Sequence, residues 1–506
     1  MKGLPLPACR RRESSPWFPL QPSFPHSQLR AVAPRANVVP QTRAVAGEKI
    51  SWTPSGRLGL WAIALYFFVS FSRMSESIAA LTGMVVRIPM VFLAVAIAGT
   101  VIQPTMIKSL QNRIALLLGL LTIWFMMCIP FSVHRGGSVR MLMGYWLTTI
   151  MGCFCVMVLG QHLFSIRRLL YAIVAGVLLV MLLGMATSSN PELRNVLGGM
   201  NNPNLYGQQL LYALPFLFIP VFLHGLFSFR GLVASAGAAL ILLKVVFTGS
   251  RASFLAIAVV LALLFLRMTF MKRLAMVAVS LPTLVIVYML MPQLAKDRYA
   301  TILLSNGETV QSIDAVGAMQ SAESRKIHFQ QSIELTFRNP VFGVGPGMFP
   351  VASADYSVDI GEKAYWKETH NTYSQISSES GLPGFFLYIG MLAATIMAQR
   401  KTMALARGAP DHSPLAECGI IAFCLFLSTA ATIVNGTFSS IGYQIYFPLL
   451  GAFSIAVLQL ATQITDAARS QQATIRPQQR QPQPSPPKDL RPLAYPRGRV
   501  AGNFAE

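Results

Sequence analysis

Charge is scarce in this sequence. Only 12% of its 506 residues are Asp, Glu, Lys or Arg, while 53% are hydrophobic. A soluble domain typically carries about twice that share of charge, so a soluble fold is excluded. Acids are the scarcer sign, 19 against 41 bases, for a net charge of +22. Such an excess suits nucleic acid only if it forms a patch, and here much of it sits in the two ends of the chain and in alternate short loops. Cysteine is also sparse, with six in all. Cys128, Cys153, Cys155 and Cys424 lie inside apolar runs, and no pair has zinc-ligand spacing or belongs to a secreted disulfide framework. They read as small packing residues. Alternating apolar and polar strands are missing, which excludes a membrane β-barrel. No internal repeat is visible.

Long apolar runs are abundant. About 20 apolar residues at 1.5 Å rise cross a hydrocarbon core of ~30 Å. About twelve such segments can be read, near 57–75, 84–103, 114–131, 141–163, 168–186, 206–224, 232–249, 252–269, 274–292, 383–399, 416–437 and 444–464. Arg87 and Lys244 interrupt the second and seventh. The expected fold is an all-α polytopic membrane protein, with a large, partly helical loop between helices nine and ten. The short loops after even-numbered helices carry Lys108, Arg113, Arg167, Arg168, Arg230, Arg267, Lys272, Arg273, Arg400, Lys401 and Arg407. The opposite short loops carry about half as many bases: Arg73, Arg135, Arg140, Arg194 and Arg251. Basic loops stay in the cytoplasm. Both termini are therefore expected inside and the long loop outside.

Residues 1–55 are rich in Pro and Arg and lack the short apolar core of a signal peptide. Residues 468–506 are rich in Pro, Gln and Arg. Both read as disordered basic tails able to touch anionic lipid headgroups. They flank a membrane domain at 56–467. The loop at 293–382 exceeds the length at which loops are usually functional or disordered. It is not of low complexity. Phe329, Ile333 and Phe337 form an apolar stripe on a short helix, which Asn339-Pro340 ends. Gly343-Val344-Gly345-Pro346-Gly347 follows as a tight turn. The three glycines do not make a dinucleotide fingerprint, because no strand precedes them.

The residues able to do chemistry cluster at the expected outer boundary. In Thr248-Gly249-Ser250-Arg251, Ser250 fits the N-cap of the next helix. A helix N-terminus attracts anions, and Arg251 adds a fork suited to phosphate oxygens. Lys244, seven residues earlier, is expected on the same helical face and deeper in the membrane. It reads either as functional or as snorkelling to the interface. Arg325, after Ser324, is expected near the N-terminus of the loop helix. His370, in Glu368-Thr369-His370-Asn371-Thr372-Tyr373, has the side chain most often used as a general base near neutral pH. Pro383, in Gly381-Leu382-Pro383-Gly384, fits the first turn of helix ten. Asn204, after Asn201-Asn202-Pro203, is expected to cap helix six, with lining a sugar site as the alternative.

The order of these motifs resembles the O-antigen ligase and polymerase family of bacterial envelope glycan transferases. Thr248 to Arg251, Ser324-Arg325, Asn339 to Gly347, and His370 to Gly384 carry the resemblance, over about residues 200–400. It implies an inverting transferase on the outer side of the bacterial inner membrane. The implied donor is a glycan on undecaprenyl pyrophosphate, and neither metal nor nucleotide is needed. Arg251 and Arg325 would hold the pyrophosphate and His370 would act at the acceptor. Ser250, Lys244, Asn204, Asn371 and Tyr373 are the expected substrate-binding residues around them. The acceptor would be a lipid A core sugar, a growing polysaccharide or a protein hydroxyl. A transporter or flippase of lipid-linked glycan is the competing class. Transporters place polar groups near the bilayer midplane, in repeated halves; Lys244 is the main feature in their favour.

Overall fold

The computed structural model describes residues 54–84, 87–187, 203–291, 296, 313–361, 364 and 366–479. Arg194, Asn201, Asn202, residues 1–53 of the expected N-terminal tail and 480–506 of the C-terminal one lie outside the described residues. Every described residue belongs to the larger of two units, Thr42–Glu506. No strand occurs among the described residues. The principal helices are α1 (Pro54–Ser72), α2 (Ile88–Val101), α3 (Arg113–Cys128), α4 (Arg135–Leu159), α5 (Leu163–Thr187), α6 (Pro203–His224), α7 (Phe229–Phe247), α8 (Arg251–Arg267), α9 (Phe270–Leu290), α10 (Ile313–Arg338), α11 (Phe349–Asp359), α12 (Thr372–Leu405), α13 (Pro414–Gly436) and α14 (Tyr446–Gln479).

The chain is an all-α polytopic membrane protein. Among the described residues nine helices, rather than about twelve, are long and apolar enough to cross a bilayer: α3 to α7, α9, and α12 to α14. The other three expected segments are helical but shorter in apolar length. Arg87 precedes α2, which has 14 residues, and the Gly249-Ser250 turn and Arg267 confine α8 to 17. At the far end α14 runs to Gln479, past the expected boundary at 467. Its Ala- and Gln-rich continuation favours helix more than its low complexity suggests.

α12, α13 and α14 pack on one another at the centre; α3 lies on α12, α6 and α8 on α13, and α4 on α14. α1 pairs with α2 and α5. Between lipid-bathed helices the attraction comes from close packing rather than from release of water. Gly176 of α5 shows the closeness: a Cβ there would stand 2.6 Å from the Phe68 carbonyl oxygen of α1.

Two of the loop bases, Arg167 and Arg267, meet the ends of neighbouring helices. Arg167 pairs with Glu417 at 3.2 Å. Arg267 donates to Met403 Sδ at 3.4 Å and lies 4.2 Å from the Phe423 ring. These contacts join the start of α5, the end of α8, the end of α12 and the start of α13. Ser250 and Asn435 stand at the opposite ends of α8 and α13.

α10 and α11 follow α9 in the chain and pack on each other and on α12. α10 has 26 residues, more than its apolar stripe predicts, because Ala315, Ala318, Met319 and Ala322 extend it upstream. The stripe itself is exposed: Phe329 43%, Ile333 38% and Phe337 70%. The buried face is more polar and holds His328, Gln331, Ser332, Leu335 and Thr336. α12 breaks at Gly381, where φ is 69° and ψ −179°. Its membrane portion thus restarts with Pro383 in its first turn, as the sequence suggests, and Thr372–Ser380 is a separate short helix.

Candidate functional site

The first group of polar residues lies at the N-terminus of α8. Thr248 donates its N–H to the Lys244 carbonyl at 3.1 Å and ends α7. Gly249 turns the chain with φ 61°. Ser250 caps α8, its Oγ accepting the Ser253 N–H at 3.3 Å. The Ser250 hydroxyl also donates to Asn204 Oδ1 at 2.7 Å. Asn204 therefore does not cap α6. It sits buried inside the first turn, and its oxygen serves the cap of another helix. Arg251, half-buried, is the first residue of α8. Lys244 belongs to α7, and the Gly249 turn separates it from Arg251, so the two do not share a helical face. Lys244 is only 8% exposed, against the snorkelling alternative.

The second group is built on the loop after α13. Asn371 caps the Thr372–Ser380 helix, its Oδ1 accepting the N–H groups of Tyr373 at 2.9 Å and Ser374 at 3.0 Å. Its amide donates to the Thr437 carbonyl at 3.2 Å. The Tyr373 hydroxyl donates to the Ile433 carbonyl at 3.2 Å. Both expected substrate-binding side chains are thus tied to backbone, where they fix the residue before them. That residue is His370, with a left-handed φ of 53°. A non-glycine residue adopts this conformation at a cost of roughly 1–2 kcal/mol. Its N–H donates to Ser440 Oγ at 2.9 Å, and Thr369 Oγ1 lies 3.0 Å from the same hydroxyl.

α10 brings cations to this histidine. Burial, then the positive charge of Arg325 and, less, coupling to His328 and the charge of Lys367, push the His370 imidazole down to about 4. It is neutral at physiological pH. Lys367 donates to Ser324 Oγ at 3.4 Å, which links the segment before His370 to α10. Arg325 is half-buried and lies twelve residues into α10, so the expected helix N-terminus does not support its charge. Its field comes from the guanidinium alone.

A buried clasp holds these pieces together. The turn at 343–347 donates Val344 N–H to the Ser378 carbonyl at 2.8 Å and Gly345 N–H to the Glu379 carbonyl at 3.0 Å. Glu379, 1% exposed, accepts the N–H groups of Gly347 at 2.8 Å and Phe349 at 3.2 Å on its carboxylate. The N–H groups of this Gly-rich turn are spent inside the chain, not on a nucleotide phosphate. Phe342 stacks between Phe131 at 4.0 Å and Trp124 at 5.6 Å.

The two groups meet around the end of α13. Ser253, two residues after Arg251, donates to Asn435 Oδ1 at 3.4 Å. Thr437 and Ser440, just beyond, hold Asn371 and His370. His370 and Arg325 thus share one neighbourhood, and the Arg251 turn flanks the same short stretch of chain. His328, Lys367, Ser440, Asn435 and Glu379 are absent from the sequence reading. The i, i+3 spacing of Arg325 and His328 is the one signal that marks His328 in advance.

A helical bundle with a basic and histidine-bearing cluster at the end of its central helices defines a polytopic membrane protein. The family model described as O-antigen ligase matches residues 236–389, which include Arg251, Arg325, His370 and Glu379. Over that stretch, less than a third of its length, the chain is similar to the O-antigen ligase family. No curated protein matches it.

Proposed function

We propose that this protein transfers a glycan from undecaprenyl pyrophosphate to a sugar acceptor at the outer face of the bacterial inner membrane. The observation that carries the reading is a neutral, half-buried His370 held beside Arg325 and Lys367. A neutral imidazole can accept a proton, and fixed cations can receive a diphosphate. In the reaction the acceptor hydroxyl attacks the anomeric carbon and its proton passes to His370. The bond from that carbon to the diphosphate oxygen breaks on the opposite face, so the configuration inverts. Undecaprenyl pyrophosphate leaves with the electron pair.

Arg325 and Arg251 stabilise charge where it develops, which is worth most in a preorganised, partly dry site. Removing one such group typically costs about 10²–10³-fold in rate. General-base help from His370 adds about 10²–10⁴-fold. Binding of an anionic diphosphate also offsets the cations that depress the histidine. Donor occupancy therefore makes His370 a stronger base when the acceptor arrives. Lys244 and Asn204 lie next to the Arg251 turn, where they serve the donor side. The polyprenyl tail stays in lipid.

The test is alanine replacement of Arg251, Arg325 and His370 in a strain lacking its own copy, with surface glycan resolved on a gel. Loss of long glycan with accumulation of lipid-linked donor on the outer face supports the reading. Unchanged glycan in all three variants rejects the site. Donor trapped on the inner face indicates a flippase.

A further inference from the structure

The buried face of α10 carries a second histidine that the transfer chemistry above does not use. His328 is 3% exposed and stands one helical turn from Arg325. Its Nδ1 lies 3.2 Å from Gln331 Oε1. Gln331 is itself fixed on two sides: Ser353 of α11 donates to its Oε1 at 2.7 Å, and its Nε2 donates to Ser357 Oγ at 3.0 Å. Ser357 in turn donates to the Ser353 carbonyl at 2.9 Å. With Gln331 Nε2 committed as a donor, Oε1 must be an acceptor. The proton of a neutral His328 therefore sits on Nδ1, and Nε2 is left with a lone pair. Phe349 meets the ring edge-on at 6.4 Å and 85°.

Among the described residues Nε2 has no hydrogen-bond partner. A purely packing histidine needs no such tautomer lock. Here four side chains from two helices orient an acceptor nitrogen, within electrostatic range of His370 and Lys367.

We propose that His328 is an acceptor-binding residue of the same site, whose Nε2 accepts a hydrogen bond from a sugar hydroxyl next to the one His370 deprotonates. The proposal rests on the transfer reading. It assigns the acceptor side to the α10–α11 face and the donor side to Arg325 and Arg251. The acceptor class it selects is a sugar with two neighbouring free hydroxyls, rather than a lone serine or threonine hydroxyl of a protein.

The experiment compares full-length wild type with His328→Leu and His328→Gln. Binding of undecaprenyl pyrophosphate is measured on purified protein in nanodiscs, and transfer is read as surface glycan in a strain lacking its own copy. His328→Leu is expected to bind undecaprenyl pyrophosphate within about twofold of wild type and to lose about tenfold in transfer, the worth of one hydrogen bond. Gln places an amide oxygen near the position of Nε2, so His328→Gln is expected to retain transfer within about threefold. Transfer by His328→Leu at the wild-type level would overturn the proposal. Equal loss in His328→Gln, or loss of undecaprenyl pyrophosphate binding in either variant, would also overturn it. Failure of the wild-type protein to bind undecaprenyl pyrophosphate would instead overturn the transfer reading and the His328 assignment with it.

Discussion

His370 makes the sharpest claim at the scale of single residues. Its imidazole is pushed from the ordinary 6.5 to about 4, first by burial and then by Arg325, His328 and Lys367. The acid limb of kcat/KM reports ionisations of the free enzyme. That limb is expected near pH 4–5 rather than 6.5, and Arg325→Gln is expected to move it upward. Linkage gives the stability counterpart. Between the folded value and 6.5 the unfolded chain binds the proton and the folded one does not. Stability is then fully present above pH 6.5 and falls as pH drops towards 4. His370→Gln is expected to flatten that slope in thermal unfolding of the solubilised protein. A slope unchanged in the variant would mean that other groups set it. The residue types of this site were legible in the sequence, because Arg251, Arg325 and His370 each stand out against apolar or loop surroundings. What surrounds them was not. Asn371 and Tyr373 look like ligands beside a histidine, yet their hydrogen bonds go to Thr437 and Ile433, 66 and 60 residues away along the chain.

At the scale of elements, the clasp between the 343–347 turn and α12 decides whether the site assembles. Glu379→Ala would leave the buried N–H groups of Gly347 and Phe349 unpaired, at about 1–3 kcal/mol. Gly381→Ala forces a left-handed residue against the Val341 carbonyl. Both variants are expected to lower the unfolding midpoint and to increase proteolysis near α10 and α11. α10 offers a contrast. Leu335 is 5% exposed and Phe337 70%. Leu335→Ala is expected to cost about 2–5 kcal/mol, and Phe337→Ser within about 0.5 kcal/mol. Equal effects would contradict the orientation of the helix. Periodicity found α10 but not its inner face, since Phe329, Ile333 and Phe337 point outward and much of its interior is held by Ser, Thr and Gln hydroxyl and amide groups. It also started the helix too late, because Ala and Gln carry helix propensity without an apolar signal.

At the scale of the whole molecule, hydropathy alone gave the helical class and most spans, since lipid leaves the backbone few alternatives. Where a charge or a glycine turn shortens a helix, as at α2 and α8, the expected span falls below the length of the other nine. Alternate loops collect at opposite ends, with Arg167, Glu417 and Arg267 at one and Ser250, Asn435 and His370 at the other. A single cysteine at Ser324 is expected to react with a membrane-impermeant thiol reagent in intact spheroplasts, and one at Ser413 only after lysis. The central claim is that Arg251 and Arg325 grip one diphosphate while His370 serves the acceptor. The measurement that tests it most directly is titration of undecaprenyl pyrophosphate onto purified wild type, Arg251→Ala, Arg325→Ala and His370→Ala proteins. Affinity is expected to fall at least about tenfold in each arginine variant and to stay near wild type in His370→Ala, which nonetheless cannot transfer. Undiminished affinity in both arginine variants would contradict the account.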